Sequence, residues 1–493
     1  MIDFPDRECH GDPKKLMRLL ADRDRLAGAL AEMGLSSNAA GQKAGLFGAA
    51  AAALRAVGAR PRAGDVSAYF VPGRIEVLGK HTDYAGGRSM VAAAERGFCV
   101  VVWPRADLQV NVTDAMRGET ASFRLDPELT PRADHWSNYP MTVARRIARN
   151  FPEARHGADI AFASDVPPAA GMSSSSAMVV AVFSALADAN RLWALPEHRA
   201  MFDDPLQLAG YLGCIENGQS FGSLAGDRGV GTFGGSEDHT AMLCAEPGKI
   251  SQFAYCPVRL EQAAPVPADY TFAIGSSGVV AEKSGAAREK YNRASRFTST
   301  LVELWRHETG RDDRTLAAAL GSSPDAPARL RQFIAALKPD APAREGPRSS
   351  LACASGFNNA AVEFDAAALL NRLEHFIIEN EEIVPAAGRA LGNGDISAFG
   401  RLVDRSQQAA AELLGNQVPE TIYLAASARR LGAAAASAFG AGFGGSVWAL
   451  MKKSDADVFL AAWAADYRRH FPQHADAATF FATAAGPARF RVC

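Results

Sequence analysis

The chain has 493 residues, with 52 Lys and Arg against 54 Asp and Glu, a formal charge of −2 and 48% hydrophobic residues. That balance excludes a nucleic-acid binder that works by bulk phosphate neutralisation, which needs a basic excess, and a solvated disordered chain, which pairs high net charge with few apolar groups. It describes a globular protein able to bury a large core, and at roughly 100–200 residues per domain its length suits two large domains.

The opening stretch, MIDFPDRECHGDPKK, carries acidic residues and Pro where a signal peptide needs an apolar run. The most apolar windows, Ala49–Ala53 and Ala433–Met451, are too short or too rich in Ala and Gly to span a bilayer, which takes about 20 apolar residues. The expectation is a cytoplasmic protein with no membrane and no nucleic-acid partner. Seven cysteines (Cys9, Cys99, Cys214, Cys244, Cys256, Cys353 and Cys493) are odd in number and scattered without a CxxC pair, so they are expected as reduced thiols.

From Lys14 to Ala59 the apolar residues recur at helical spacing, which predicts an N-terminal helical extension over 1–62. Val66–Leu78 is β-branched and aromatic, interrupted by Pro72 and Gly73, and two further strands are expected at Met90–Ala94 and Phe98–Trp103. Tyr139–Asn150 reads as a helix, Ala158–Ala163 as a strand and Ser174–Asn190 as a helix. A transition at Pro265–Pro267 sets a domain boundary, giving domains 63–265 and 266–493. In the second, Tyr270–Gly275 and Ser446–Met451 read as strands, and Phe364–Leu391 and Ile396–Leu414 as long helices. The stretch around 322–350 is Pro-rich and reads as a loop-like insertion.

Four segments concentrate chemistry. In SDVPPAAGMSSSSAMVV a strand runs into a Pro/Gly loop that delivers Gly171, Met172, Ser173, Ser174, Ser175 and Ser176 to the start of a helix. Free backbone N–H groups, the positive helix end and small residues together suit a phosphate, although a Ser cap on an ordinary helix has the same appearance. No GxxxxGK[ST] loop occurs anywhere in the chain. In SAFGAGFGGSVWAL (Ser437–Leu450) a helix-like Ala-rich run precedes the glycines and a strand follows. That is the wrong order for a dinucleotide-binding turn, so these glycines are expected to pack backbone against backbone near the first loop. VPGRIEVLGKHTDYAGG (Val71–Gly87) gathers Arg74, Glu76, Lys80, His81, Asp83 and Tyr84, and GGSEDHTAML (Gly234–Leu243) sets Glu237, Asp238 and His239 beside glycines. Such groups either pair with one another or meet a polar ligand.

Taken in order, PGRIEVLGKHTDYAGG, PPAAGMSSSSA, GGSEDHTAM and GAGFGGSVWAL resemble the GHMP small-molecule kinases, and within them the galactokinases. Segments between the motifs (HWSNYPMTVARRI, RLEHFIIENEEI and the run Phe399–Ala428) are similar too. The resemblance implies an α+β two-domain GHMP kinase fold: an N-terminal domain with a ribosomal-protein-S5-like mixed sheet plus helices, a C-terminal α/β sandwich, and the active site in the cleft between them. It implies ATP-dependent transfer of the γ-phosphoryl group to the anomeric hydroxyl of galactose or a related monosaccharide, with Mg²⁺, in a chain expected to be monomeric. Asp238 takes the position of the catalytic Asp, with Arg74 beside it. His81, Asp83, Tyr291 and, at the place of a family Glu, Lys80 take sugar-binding positions. Gly171, Met172, Ser173, Ser174, Ser175, Ser176, Gly442 and Gly444 take phosphate-binding positions, and Ser175 and Glu216 metal-binding ones.

The chain departs from the family pattern at several points. Lys80 replaces a Glu, His239 a Gln and Ala85 an Asn, and a Gly-rich insert separates Glu216 from Asp238. Lys80 either faces an altered C6 group, as on a uronic acid, or pairs with Glu76 or Glu237. A different sugar substrate, such as an amino sugar or a pentose, and a sugar- and ATP-binding regulator without turnover are the alternatives to a galactose kinase.

Overall fold

The computed structural model describes residues 13–56, 58, 66–133, 135–167, 170–280, 285–337 and 365–492. The N-terminal extension is three helices, α1 (Pro13–Ala21), α2 (Arg23–Glu32) and α3 (Ser37–Ala56). Asp22 caps α2 by accepting the Arg25 N–H at 3.1 Å. Their apolar stripe, including Leu26, Leu30, Phe47 and Leu54, packs on one face of two long antiparallel strands, β1 (Ser67–Leu78) and β2 (Arg88–Pro104). Successive strand residues point to opposite faces: Phe70, Cys99, Val101 and Trp103 meet the extension, while Tyr69, Val71, Val100 and Val102 enter the main core. Burial on both sides explains why these strands read as continuous apolar runs. The two strands expected at 90–94 and 98–103 are one, and Pro72 and Gly73 sit at a register shift in β1 rather than breaking it.

The first sheet is completed by β3 (Gln109–Asp114), β4 (Glu119–Arg124), β5 (Ala158–Ser164), β6 (Lys249–Ala254) and β7 (Arg259–Pro265); its main path runs β1-β2-β5-β3-β4, with β6 also on β2. Helices α4 (Asn138–Asn150), α5 (Ser174–Ala189), α6 (Arg199–Asp203), α7 (Pro205–Asn217) and α8 (Glu237–Cys244) cover its other face. The second sheet is antiparallel: β8 (Tyr270–Ser276), β9 (Ala435–Phe439), β10 (Ser446–Lys452) and β11 (Thr479–Thr483), in the order β11-β8-β10-β9. Its helices are α9 (Gly285–Thr309), α10 (Leu316–Leu320), α11 (Ala326–Ala335), α12 (Ala366–Ile377), α13 (Val384–Gly392), α14 (Ile396–Ala409), α15 (Pro419–Arg430) and α16 (Ala456–His470). A π-helical turn, Ile378–Ile383, joins α12 to α13.

Three expectations need correction. The boundary at 265 does not separate two closed units, because the chain returns after β11. β12 (Ala485–Gly486) then pairs with β2 and β13 (Phe490–Arg491) with β1, and the principal core runs through both sheets. The Ala-rich run before the last glycines is strand β9, since its small side chains fit between two covering layers and tertiary packing overrides helix propensity. The SSPDAPARLRQF stretch ends as a helix, α11, with a Pro in its first turn, where no N–H is missed, and Leu330 and Ile334 buried. The rest of the expected insertion, 338–350, lies outside the described residues.

No helix among the described residues is long and apolar enough to cross a membrane. Cys99, Cys214, Cys244 and Cys256 are free thiols; Cys9, Cys353 and Cys493 fall outside the described residues.

Candidate active site

A cleft opens where the two sheets meet, walled by β1 and the loop after it, the head of α5, the end of α7, the α7–α8 connection with the start of α8, Tyr291 of α9, and Gly440 and Ala441. The phosphate-type loop reaches it by a sharp change of direction: Gly171 takes a left-handed conformation at φ +74° and Ser173 another at φ +58°, after which α5 begins at Ser174. The first turn of α5 directs its unpaired N–H groups and positive end outward. Gly171 must be glycine for a second reason, since a Cβ there would lie 2.9 Å from the Phe439 carbonyl. The glycine run is thus packed backbone to backbone on the serine loop, as expected. The residues it lends to the cleft are Gly440 and Ala441, however, while Gly442 packs on Asn416 and Gly444 on Val279.

Arg74, on β1 and 4% exposed, is the central cation. Its Nε donates to Asp238 Oδ1 at 2.5 Å and lies 3.6 Å from Glu237 Oε1, Nη2 is 3.8 Å from Glu76 Oε2, and Nη1 donates to the Gly171 carbonyl. Burial works against this charge, but Asp238, Glu76 and Glu237 outweigh it and hold the guanidinium above its ordinary pKa. Burial also pushes the Glu76 and Glu237 carboxyls up, opposed by Arg74 in both cases and, at Glu76, by Lys80.

Asp238 stands in the first turn of α8, facing the head of α5. Its Oδ2 accepts from the Ser173 hydroxyl and lies 3.2 Å from Ser176 Oγ. Ser176 Oγ also donates to Glu216 Oε2 at 2.7 Å, near the end of α7, and His239 Nε2 is 3.3 Å from that same oxygen. Two helix starts and one helix end therefore converge on a set of oxygen ligands. The hydroxyl that meets Glu216 belongs to Ser176. Ser175, the expected partner, is half-buried in the same turn and does not line the cleft.

The opposite wall is the loop after β1. His81 has φ +58°; its Nε2 faces the Ala441 carbonyl at 3.2 Å, so that nitrogen carries the hydrogen, and Nδ1 accepts from the Tyr84 hydroxyl at 2.9 Å. The Tyr291 ring packs on His81 with centroids 5.1 Å apart. Asp83 Oδ2 accepts the Glu237 N–H at 3.2 Å, a close approach that Gly235 permits because any Cβ there would strike the Asp83 carboxylate. Burial, with smaller opposing effects from Arg372, pushes the Tyr84 phenol up to about 12.

Lys80 is a correction. It is 1% exposed, its Nζ donates to Ser437 Oγ at 2.8 Å, and it does not line the cleft. Among the pairings expected for it, only the neighbourhood of Glu76 is realised, as an electrostatic influence on that carboxyl. Sequence reasoning missed Thr232, Gly440 and Ala441 in the wall. It also missed the two buried groups that hold the sugar-type loop from α12 and its π turn. Arg372 donates to the His81 carbonyl at 2.5 Å, and Glu379 accepts the Gly79 N–H at 2.7 Å. The signal for both lay in RLEHFIIENEEI, where charges fall on an otherwise apolar helical face.

Residues 138–218 match the GHMP kinases N-terminal domain, residues 387–469 the GHMP kinases C-terminal domain, and residues 60–104 the galactokinase galactose-binding signature. The chain carries both GHMP kinase domains and the galactokinase galactose-binding signature. The galactokinase of Actinobacillus succinogenes is 26% identical over 411 residues, spanning 81% of this chain and 89% of that protein. The galactokinase of a Roseiflexus species is 28% identical over 394 residues, 79% and 84% of the two chains. The fold matches that of Lactococcus lactis galactokinase, crystallised with galactose, at a TM-score of 0.66 and 22% identity, over 86% of this chain and 94% of that one. The galactose-binding signature supplies Arg74, His81 and Asp83, the N-terminal domain match the serines and Glu216, and the C-terminal domain match Gly440 and Ala441. Asp238, Thr232 and Tyr291 come from the unmatched stretch between them.

Proposed function

We propose that this GHMP kinase transfers the γ-phosphoryl group of ATP to the anomeric hydroxyl of galactose, giving galactose 1-phosphate and ADP. The observation that carries this reading is Asp238, hydrogen-bonded to Arg74 at 2.5 Å and facing the serine-lined start of α5 in a cleft whose far wall is His81, Asp83 and Tyr291. The serine loop and the head of α5 receive the triphosphate through backbone N–H groups and hydroxyls. The far wall orients the sugar by hydrogen bonds, with Tyr291 and His81 offering an apolar face. Asp238 accepts the hydroxyl proton as the sugar oxygen bonds to the γ-phosphorus and the bond to the ADP oxygen breaks. Arg74 aligns Asp238 and places positive charge beside the transferring group.

Among the described residues no cluster of three or more His, Cys, Asp and Glu suits a metal ion. Glu216 and the Ser176 hydroxyl nevertheless form an all-oxygen pair that fits Mg²⁺, a cation that keeps water and phosphate oxygens in its remaining positions. When bound, Mg²⁺ neutralises charge on the phosphates. With Lys80 buried against Ser437, the argument for an anionic C6 group loses its basis, and a neutral hexose is the substrate class we infer.

The test is an ADP-release assay with galactose, galacturonate, amino sugars and pentoses. Turnover of galactose is expected, and D238N is expected to lose about 100- to 10,000-fold in kcat while still binding ATP. Near wild-type turnover by D238N would overturn the mechanism. ATP and sugar binding without turnover by the wild type would favour a regulator.

A further inference from the structure

We propose that the N-terminal helical layer is part of the nucleotide site, with Lys43 of α3 as a positioning residue for the phosphate loop. The proposal rests on the reading of Gly171–Ser176 as that loop. Lys43 is 1% exposed on a helix whose other buried residues are Ala, Phe and Leu, a placement that is costly for an ammonium unless it is paired. Its Nζ meets Asp165 Oδ2 at 2.5 Å, across 122 residues of sequence. Asp165 is the first residue after β5, where the chain leaves the sheet for the serine loop.

The other oxygen of Asp165 accepts the Gly97 N–H at 2.9 Å, and its carbonyl accepts from Arg96 Nη1 at 3.0 Å. Arg96 in turn lies over the Phe481 ring of the second sheet, 3.5 Å from its centroid. The loop is therefore held at its entrance by Lys43 and by Arg96 and Gly97 of β2, and at its exit by the Arg74 N–H donated to the Met172 carbonyl at 3.2 Å. Between these two clamps the loop has to present Ser173 in a left-handed conformation, which a non-glycine residue holds only when its surroundings fix it. A second tie runs parallel: Glu95 accepts from the Ser36 N–H at 2.6 Å and from the Ala484 N–H at 3.2 Å, so the extension is coupled to both sheets beside the same stretch of β2.

The experiment uses the full chain with K43M, which removes the charge at similar volume, together with K43R, D165N and the double variant K43M/D165N. ATP binding is followed by calorimetry, and KM is measured separately for ATP and for galactose. K43M is expected to raise Kd and KM for ATP about tenfold while the galactose KM and the melting temperature stay close to wild type; D165N is expected to raise them as much and, because it leaves Lys43 buried without its carboxylate, to lower the melting temperature as well. K43R is expected to recover part of the loss, and the double variant to be no worse than either single one. Should either single variant misfold, the double variant K43M/D165N, which leaves no buried charge unpaired, carries the same expectation for ATP. ATP binding unchanged in both single variants, or equal losses for ATP and galactose, would overturn the inference while leaving the kinase reading intact. A wild-type chain that binds no ATP would overturn both.

Discussion

Arg74 is surrounded by three carboxyl groups in a space almost closed to water, and the balance among them depends on which are ionised. Glu76 titrates in the neutral range. Burial raises its pKa to about 7 against Arg74 and Lys80, which pull it down. In the unfolded chain it titrates near 4.5, so between about 4.5 and 7 the folded state holds a proton that the unfolded state has released. Stability contributed by this group is therefore present below that window and is lost as pH rises through it, by at most about 1.4 kcal/mol per unit. The variant E76Q cannot ionise and keeps an oxygen for the Gly440 N–H. Urea denaturation across this window should show E76Q gaining on the wild type as pH rises, whereas a constant gap would mean that Glu76 is ionised throughout. At this scale much was legible in advance: the motifs named Arg74, His81, Asp83, Glu216 and Asp238, and all five line one cleft. Lys80 was not legible in this way, because a motif position does not say on which side of a turn a long side chain lies. The choice of Ser176 over Ser175 was equally hidden, being decided by one step of 100° around the helix axis.

The Gly-rich connection between α7 and α8, visible in the sequence only as an insert between Glu216 and Asp238, is tied to the rest of the site by buried groups on other elements. Asp227 has a fully buried side chain, 2.8 Å from Arg145 Nε and 3.6 Å from Arg146 Nη1, both on α4. Asn138 and Asn150 of α4 donate to its Val230 and Ala225 carbonyls, and Asn292 of α9 to Gly231. These ties set Thr232 and Gly234 in the cleft wall, with Gly234 close enough to the Tyr291 hydroxyl that a Cβ would lie 2.7 Å from it. Composition could not reveal this, because the anchors are buried arginines and asparagines on other elements. The contrast with α5 is informative, since that helix carries its whole signal locally and ends one residue short of the expected Asn190. Replacing Asp227 by Asn leaves two buried guanidinium groups without their carboxylate, a loss of about 3–5 kcal/mol. D227N is expected to lower the melting temperature and, where it remains folded, to raise KM for the sugar more than KM for ATP. A sugar KM that does not move would show the loop to be scaffold only.

The two lobes are tied into one body by the chain's own ends. After the second sheet is built, residues 485–491 return to pair with β2 and β1, and Val492 enters the same apolar cluster as the N-terminal helices. A linear division at 265 could not foresee this return, because two-residue strands carry no periodic signal. The extension was legible as helices, but its role as a layer was not. That role follows from β1 and β2 being apolar on both faces, so that one face needs a cover which the helices on the other side cannot provide. Removing residues 1–56 would uncover Phe70, Cys99, Val101, Trp103 and Ala161 together. A contiguous apolar surface of this kind, beyond a few hundred Å², drives self-association. The truncated chain is accordingly expected to elute as aggregate in size-exclusion chromatography and to bind a hydrophobic dye, with activity lost along with solubility. If the helices were a dispensable appendage, the truncated chain would remain monodisperse at the wild-type melting temperature. The point variants at Lys43 separate the two contributions of this layer: they leave the apolar cover in place and remove only its ion pair to the phosphate loop.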